Sequence, residues 1–293
     1  MQAISGHPSA IQLNLPDLNI AAIRHCRQDV TPDTKLLCLH GWLDNANSFL
    51  PMMPYLPNVD MVAIDLPGHG YSDHLNTSYS IPEVAMIVTE TAAALNWDIY
   101  NLLGHSLGGC IAPVVAAASP ESINQLMLIE ASGAMTASAE EFPERLQRAA
   151  ADRHNRSKFQ SRLMPDKQAA IDARLRAAKM ESPSAKLIID RQLQKHDEGY
   201  TWRFDPKLRM ASNLYMTEAH VRATLSSIKC PTQTIIATNG FLADREDTEP
   251  RLNCLTHRDS VTLVGQHHLH MDTPEPVAAA INRFLGTVPA LGG

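Results

Sequence analysis

Short unbroken apolar runs punctuate the first half of the chain, at 36–39 (Leu-Leu-Cys-Leu), 61–64 (Met-Val-Ala-Ile), 99–103 (Ile-Tyr-Asn-Leu-Leu) and 126–129 (Leu-Met-Leu-Ile). Runs of this length are too short for helices and carry no polar alternation, so they predict strands buried on both faces. Between them, residues 82–96 and 107–118 are rich in Ala, Val and Ile and long enough for helices, each ending near turn residues. Alternation of this kind predicts right-handed βαβ units and a mostly parallel sheet. Ahead of them, residues 11–27 suit an antiparallel hairpin turning at Pro16-Asp17-Leu18-Asn19.

After Glu130 the pattern changes. From about Ser132 to His220 the chain is rich in Ala, Arg, Gln and Lys at helical spacing, with no buried strand in view. Strand-like text resumes at 234–237 and 260–264, and a closing helix is predicted over 275–285. The expected organisation is an α/β core of an eight-stranded, mostly parallel sheet (residues 1–131 and 221–293). A helical cap (132–220), inserted after the sixth strand, lies over the carboxyl ends of the strands, where open α/β sheets bind ligands. Among its apolar residues Met164, Leu187, Ile188, Leu193, Trp202, Phe204, Leu214, Tyr215 and Met216 are candidates for a pocket, although most such residues pack a cap onto its core.

Composition narrows the function classes. The 293 residues are 44% hydrophobic, enough for a substantial core, and carry a formal charge of −6. Without a basic face, no nucleic-acid partner is expected. Five dispersed cysteines, Cys26, Cys38, Cys110, Cys230 and Cys254, form neither a disulfide framework nor a Cys/His metal pattern. Residues 1–10 lack a basic stretch followed by an apolar run, and no segment approaches the ~18 apolar residues of a membrane span. The expectation is a cytoplasmic protein with neither membrane nor nucleic-acid partner, acting on a small molecule; the sequence does not fix its oligomeric state.

The chemistry enters with Gly104-His105-Ser106-Leu107-Gly108, which fits G-x-S-x-G, follows a strand and opens a small-residue helix. Only small flanking residues fit so tight a turn, and it lifts the serine hydroxyl beside a helix N-terminus, where backbone N–H groups favour a developing negative charge. Ser106 is therefore the candidate nucleophile. It needs a base returning to the same sheet edge, and the segment Gly265-Gln266-His267-His268-Leu269-His270-Met271-Asp272-Thr273-Pro274, directly after the last strand, offers three imidazoles.

With these segments in place the chain resembles the α/β-hydrolase superfamily, whose last strand is commonly followed by a pattern like G-x-H-x-x-H-x-E-x-P. The resemblance implies His267 as the base, ahead of His268. It also implies an acid after the penultimate strand in a G-x-x-D pattern, but here that stretch reads Thr238-Asn239-Gly240-Phe241, and Asp244 comes three residues late. Glu130, at the end of an earlier strand, matches the placement of the acid in some members such as certain haloalkane dehalogenases. Glu130 is therefore preferred, with Asp244 as the alternative and, behind it, Asp247 or no acid at all. The oxyanion donors implied by the family are the backbone N–H groups of Leu107 and of Trp42, the latter in His40-Gly41-Trp42-Leu43-Asp44-Asn45. Asp44 and Asn45 are expected to cap the following helix. Asp65 in Asp65-Leu66-Pro67-Gly68-His69-Gly70 is expected to bond the backbone of its own turn, and His40 and His105 to satisfy local backbone groups.

Through residues 39–49 the resemblance is closest to the serine hydrolase-like and related bacterial esterase group. It implies a carboxylesterase for small to medium acyl esters, working through an acyl-enzyme without metal or organic cofactor. A serine nucleophile separates the chain from dehalogenases and epoxide hydrolases, which use aspartate. A carbon–carbon bond hydrolase, a lactonase or a non-catalytic ligand-binding member are the competing readings.

Overall fold

The computed structural model describes residues 7–26 and 34–287. Ten strands and nine α-helices are assigned among them. β1 (Ser9–Asn14) and β2 (Asn19–His25) form the N-terminal hairpin, and β3 (Thr34–Leu39), β4 (Val59–Ile64), β5 (Tyr100–His105) and β6 (Ile123–Ile129) are the four buried runs of the first half. α1 (Ile81–Ala94) follows β4, and α2 (Leu107–Ala118) joins β5 to β6. Arg27, assigned to the hairpin by sequence, lies outside the described residues.

Residues 132–220 contain α3 (Phe142–His154), α4 (Lys167–Ala177), α5 (Ser182–Gln192), the strands β7 (Leu193–His196) and β8 (Gly199–Trp202), and the start of α6 (Glu218–Ser227). The hairpin β7–β8 departs from the all-helical expectation. Its strands are four residues each, and in β7 only Leu193 is buried, so there is no apolar run to betray it in the sequence. β9 (Thr232–Asn239), α7 (Thr248–Leu252), β10 (Arg258–Gln266), α8 (Leu269–Asp272) and α9 (Pro274–Thr287) complete the chain.

Eight strands form one sheet in the order β1-β2-β4-β3-β5-β6-β9-β10, in which β2 alone runs against the others. Two apolar layers cover it. Leu37, Leu39, Leu102 and Leu128 face α1 and α2 on one side; Leu36, Cys38, Leu103 and Ile129 face Phe49, Val277 and Ile281 on the other. Burial on both faces removes the polar alternation of a half-exposed strand, which is why these segments read as continuous apolar text. Register then fixes the working edge: Leu39 lies beside Gly104, His105 beside Ile129, and Ile129 beside Ile235. The residues that immediately follow β3, β5 and β6 therefore emerge level with one another. Among the described residues no helix is long and apolar enough to cross a membrane.

Candidate active site

Ser106 occupies the single-residue turn between β5 and α2, with φ 51° and ψ −111°. A non-glycine residue at positive φ is strained, and the turn is held by its surroundings: the Ser106 N–H donates to the Ile129 carbonyl at 3.0 Å, and the Gly108 N–H to that of His40, also at 3.0 Å. A methyl group at Gly108 would overlap the Leu39 carbonyl, so the close approach of α2 to β3 requires glycine. Leu107, the first residue of α2, carries one of the N–H groups that a helix leaves without an intrahelical acceptor.

His267 lies just past β10. Its Nε2 is 2.9 Å from Ser106 Oγ and its Nδ1 is 3.2 Å from Glu130 Oε2. A carboxylate accepts, so Nδ1 carries the hydrogen and Nε2 presents a lone pair to the serine hydroxyl. Glu130 directly follows β6 at φ 53° and is buried. Its Oε1 accepts from the Ala237 N–H at 2.7 Å, and its Oε2 from the N–H groups of Phe241 and, at 3.4 Å, Leu242. The loop in which the family pattern would place the acid thus supplies backbone donors to a carboxylate arriving from β6. Gly240 leaves room for it, since a side chain there would collide with the Glu130 carboxylate.

The other candidate acids stand elsewhere. Asp244 is exposed and has no hydrogen bond to His267, while Asp247 pairs with Arg245 and Arg251. His268 is buried beneath the loop, with Nε2 3.3 Å from Arg174 Nη2 and 3.4 Å from Asp44 Oδ2. Trp42 sits in the loop after β3 beside the cavity, its side chain half exposed and its Nε1–H donating to Leu208 O at 3.0 Å.

Of the two expected caps only Asn45 acts as one, accepting from the Asn47 N–H at 3.1 Å. Asp44 turns inward to Arg174 of α4. Burial alone would raise its pKa; the Arg174 guanidinium opposes this, and the carboxyl is held well below its usual range. Asp65 does bond its surroundings, accepting from the N–H groups of Ala46 and Tyr71 at 2.8 Å each, and it also receives Arg191 of α5 at 2.9 Å. His40 accepts from the Leu66 N–H at 2.9 Å. His105 makes a longer link than expected, donating from Nε2 to the His267 carbonyl at 2.9 Å, and burial with three neighbouring imidazoles holds its pKa well below normal. Neither Arg174 nor Arg191 carried a sequence signal, because both resemble any other arginine on a polar helix.

A cavity of about 800 Å³ opens over Ser106, Glu130 and His267. Of the apolar residues singled out from sequence, Leu214, Tyr215 and Met216 line it; Leu193 and Trp202 pack instead in the small cluster around Ile171 and Ile189. Met135, Leu208 and Met210 line it without having been anticipated.

Residues 35–205 match the family described by the alpha/beta hydrolase fold. The chain belongs to that family. As a hydrolase of this fold it is similar to a serine hydrolase-like protein of Danio rerio, 26% identical over 85% of this chain and 81% of the relative. Among solved structures, a hypothetical protein from Pseudomonas aeruginosa PAO1 is 33% identical with a TM-score of 0.86, covering 94% of this hydrolase and 97% of that chain. A thioesterase domain from the curacin biosynthetic pathway is 25% identical with a TM-score of 0.80, over 94% and 99% of the respective chains.

Proposed function

We propose that the protein is a serine carboxylesterase for small to medium acyl esters, with Ser106 as nucleophile, His267 as base and Glu130 as the acid that orients it. The observation that carries this reading is the continuous chain Ser106 Oγ, His267 Nε2, His267 Nδ1, Glu130 Oε2, at 2.9 and 3.2 Å, facing the 800 Å³ cavity. Ser106 attacks the acyl carbon while its proton passes to His267 Nε2, and Glu130 stabilises the imidazolium through Nδ1–H. The carbonyl oxygen becomes an oxyanion received by the N–H groups of Leu107 and Trp42. The imidazolium then protonates the departing alkoxide. Water, deprotonated by the same imidazole, cleaves the acyl-enzyme and restores the serine. Every proton transfer is served by the chain's own groups.

Residues 132–220 act in this reading as a cap, contributing Met210, Leu214 and Met216 to walls that suit an acyl chain. The likeness to a thioesterase domain supports acyl transfer to water without choosing between oxygen and sulfur leaving groups. Hydrolysis of p-nitrophenyl esters from acetate to palmitate, beside the matching acyl-thioesters, tests both points. The expected outcome is turnover of short and medium oxygen esters, lost in Ser106→Ala, with a fluorophosphonate label on Ser106. Faster turnover of thioesters makes the protein a thioesterase. Absence of both turnover and label favours a ligand-binding protein.

A further inference from the structure

Behind the catalytic candidates lies a second cluster that the proposed ester chemistry does not use. Asp44, from the loop after β3, His105, at the end of β5, and His268, next to His267, are each at least nine-tenths buried. Asp44 Oδ2 stands 3.8 Å from His105 Nδ1 and 3.4 Å from His268 Nε2, and one ligand atom from each of the three residues lies within 4.8 Å of the other two. Neither contact has hydrogen-bond geometry. His105 donates Nε2–H to the His267 carbonyl at 2.9 Å, and since a carbonyl can only accept, the neutral ring turns the Nδ1 lone pair toward Asp44. His268 Nε2 faces the Arg174 guanidinium at 3.3 Å, a group that only donates, so it too presents a lone pair. Three acceptors thus converge, and neither Asp44 Oδ2 nor His105 Nδ1 has a hydrogen-bond partner. Buried acceptors in this relation call for an electrophile between them.

We infer that Asp44, His105 and His268 form a binding site for a divalent transition-metal ion of the Zn²⁺ type. One carboxylate oxygen and two imidazoles form a ligand set that such ions take, at about 2.0–2.2 Å, and two ligands at a tetrahedral angle are then about 3.4 Å apart. The Asp44–His268 separation matches that value, and the Asp44–His105 separation exceeds it by a few tenths of an ångström. A ligating histidine characteristically donates its other ring N–H to a carbonyl or carboxylate, as His105 does to His267. The space is kept by Gly41, where a Cβ would lie 2.8 Å from Asp44 Oδ2 and 3.0 Å from His105 Nδ1. Arg174 is the competitor. Its guanidinium holds Asp44 Oδ1 from the edge of the site, and its side chain is 12% exposed, so an ion enters as Arg174 withdraws toward solvent. Metal uptake therefore exchanges a tether between α4 and the core for a brace on either side of His267.

The test reads metal binding directly and does not depend on ester turnover. Chelator-treated protein is titrated with Zn²⁺ by equilibrium dialysis and with Co²⁺ by its visible absorption, and folding of each variant is checked by circular dichroism. One ion per chain is expected. Asp44→Asn and Gly41→Ala should weaken binding at least about a hundredfold, beyond the loss typical of an outer-shell change, while His267→Ala retains it. Gly41→Ala keeps all three ligands and decides the matter where Asp44→Asn does not fold. Arg174→Gln, which removes the competing cation, should tighten binding at least tenfold. Absence of uptake by both the wild type and Arg174→Gln overturns the proposal, as does uptake that survives Asp44→Asn and Gly41→Ala or that disappears in His267→Ala.

Discussion

Glu130 shows how a candidate acid is marked out by what surrounds it rather than by a motif. It was preferred over Asp244 because a strand end is rigid and faces the ligand edge, and its carboxylate is held by backbone N–H groups of Ala237, Phe241 and Leu242 within reach of His267. The triad reading makes a sharp prediction. Glu130→Gln removes the charge and permits the wrong imidazole tautomer, so kcat for a p-nitrophenyl ester should fall by about 10⁴-fold, the scale seen when a triad carboxylate becomes an amide. Asp244→Asn should leave kcat within about twofold of wild type, being exposed and unlinked to His267. The reverse ranking refutes the assignment. At this scale Ser106 was legible because its turn demands glycine on either side, whereas the proposed acid's departure from the family pattern was visible only as a missing carboxylate at Phe241.

At the scale of elements, α5 is fastened to the sheet's loops by buried charge. Arg191 of α5 bonds both oxygens of Asp65 at 2.9 Å and lies 4.9 Å from the Tyr71 ring centroid, and Asn45 and Asn47 donate to the carbonyls of Ile188 and Leu187 at 2.9 and 2.8 Å. These contacts bind α5 to the turns after β3 and β4. Arg191→Met should then cost about 3–5 kcal/mol, because it leaves the Asp65 carboxylate buried without its counter-ion. Equilibrium urea unfolding gives the value, and a loss below about 1 kcal/mol shows that the backbone donors to Asp65 suffice. Helices α1, α2 and α9 and the five buried strand runs were readable from periodicity, because both faces of the central sheet and the inner faces of its helices are apolar; the edge strand β10, with no fully buried residue, was readable from its β-branched text. The β7–β8 hairpin was not, since its strands are four residues each and three of the four β7 residues are exposed, too little text for a period to show.

For the whole molecule, the histidines packed around the sheet edge tie stability to pH. Burial lowers the pKa of His40 to about 4 and of His69 and His270 to about 3. In the unfolded chain these groups take up protons below about pH 6.5, while the folded protein resists until the lowered values are reached. Their contribution is therefore intact above about pH 6.5 and is lost as pH falls toward 4 and then 3, at up to about 1.4 kcal/mol per pH unit for each group. Since domains are stable by only about 5–15 kcal/mol, the melting temperature should drop steeply between pH 6 and 4. His270→Leu should flatten that acid limb in differential scanning calorimetry; a melting temperature constant from pH 7 to 4 excludes the mechanism. The chain by itself determined the order of elements, the serine turn and the histidine loop, because these depend on periodicity and on neighbours within a few residues. Tertiary structure alone decided the carboxylate's donors, the arginine tethers and the Asp44, His105 and His268 cluster, whose members lie as much as 224 positions apart. Such groups meet only when parallel strands bring their carboxyl ends level, and no local pattern records a contact that the register of a sheet creates.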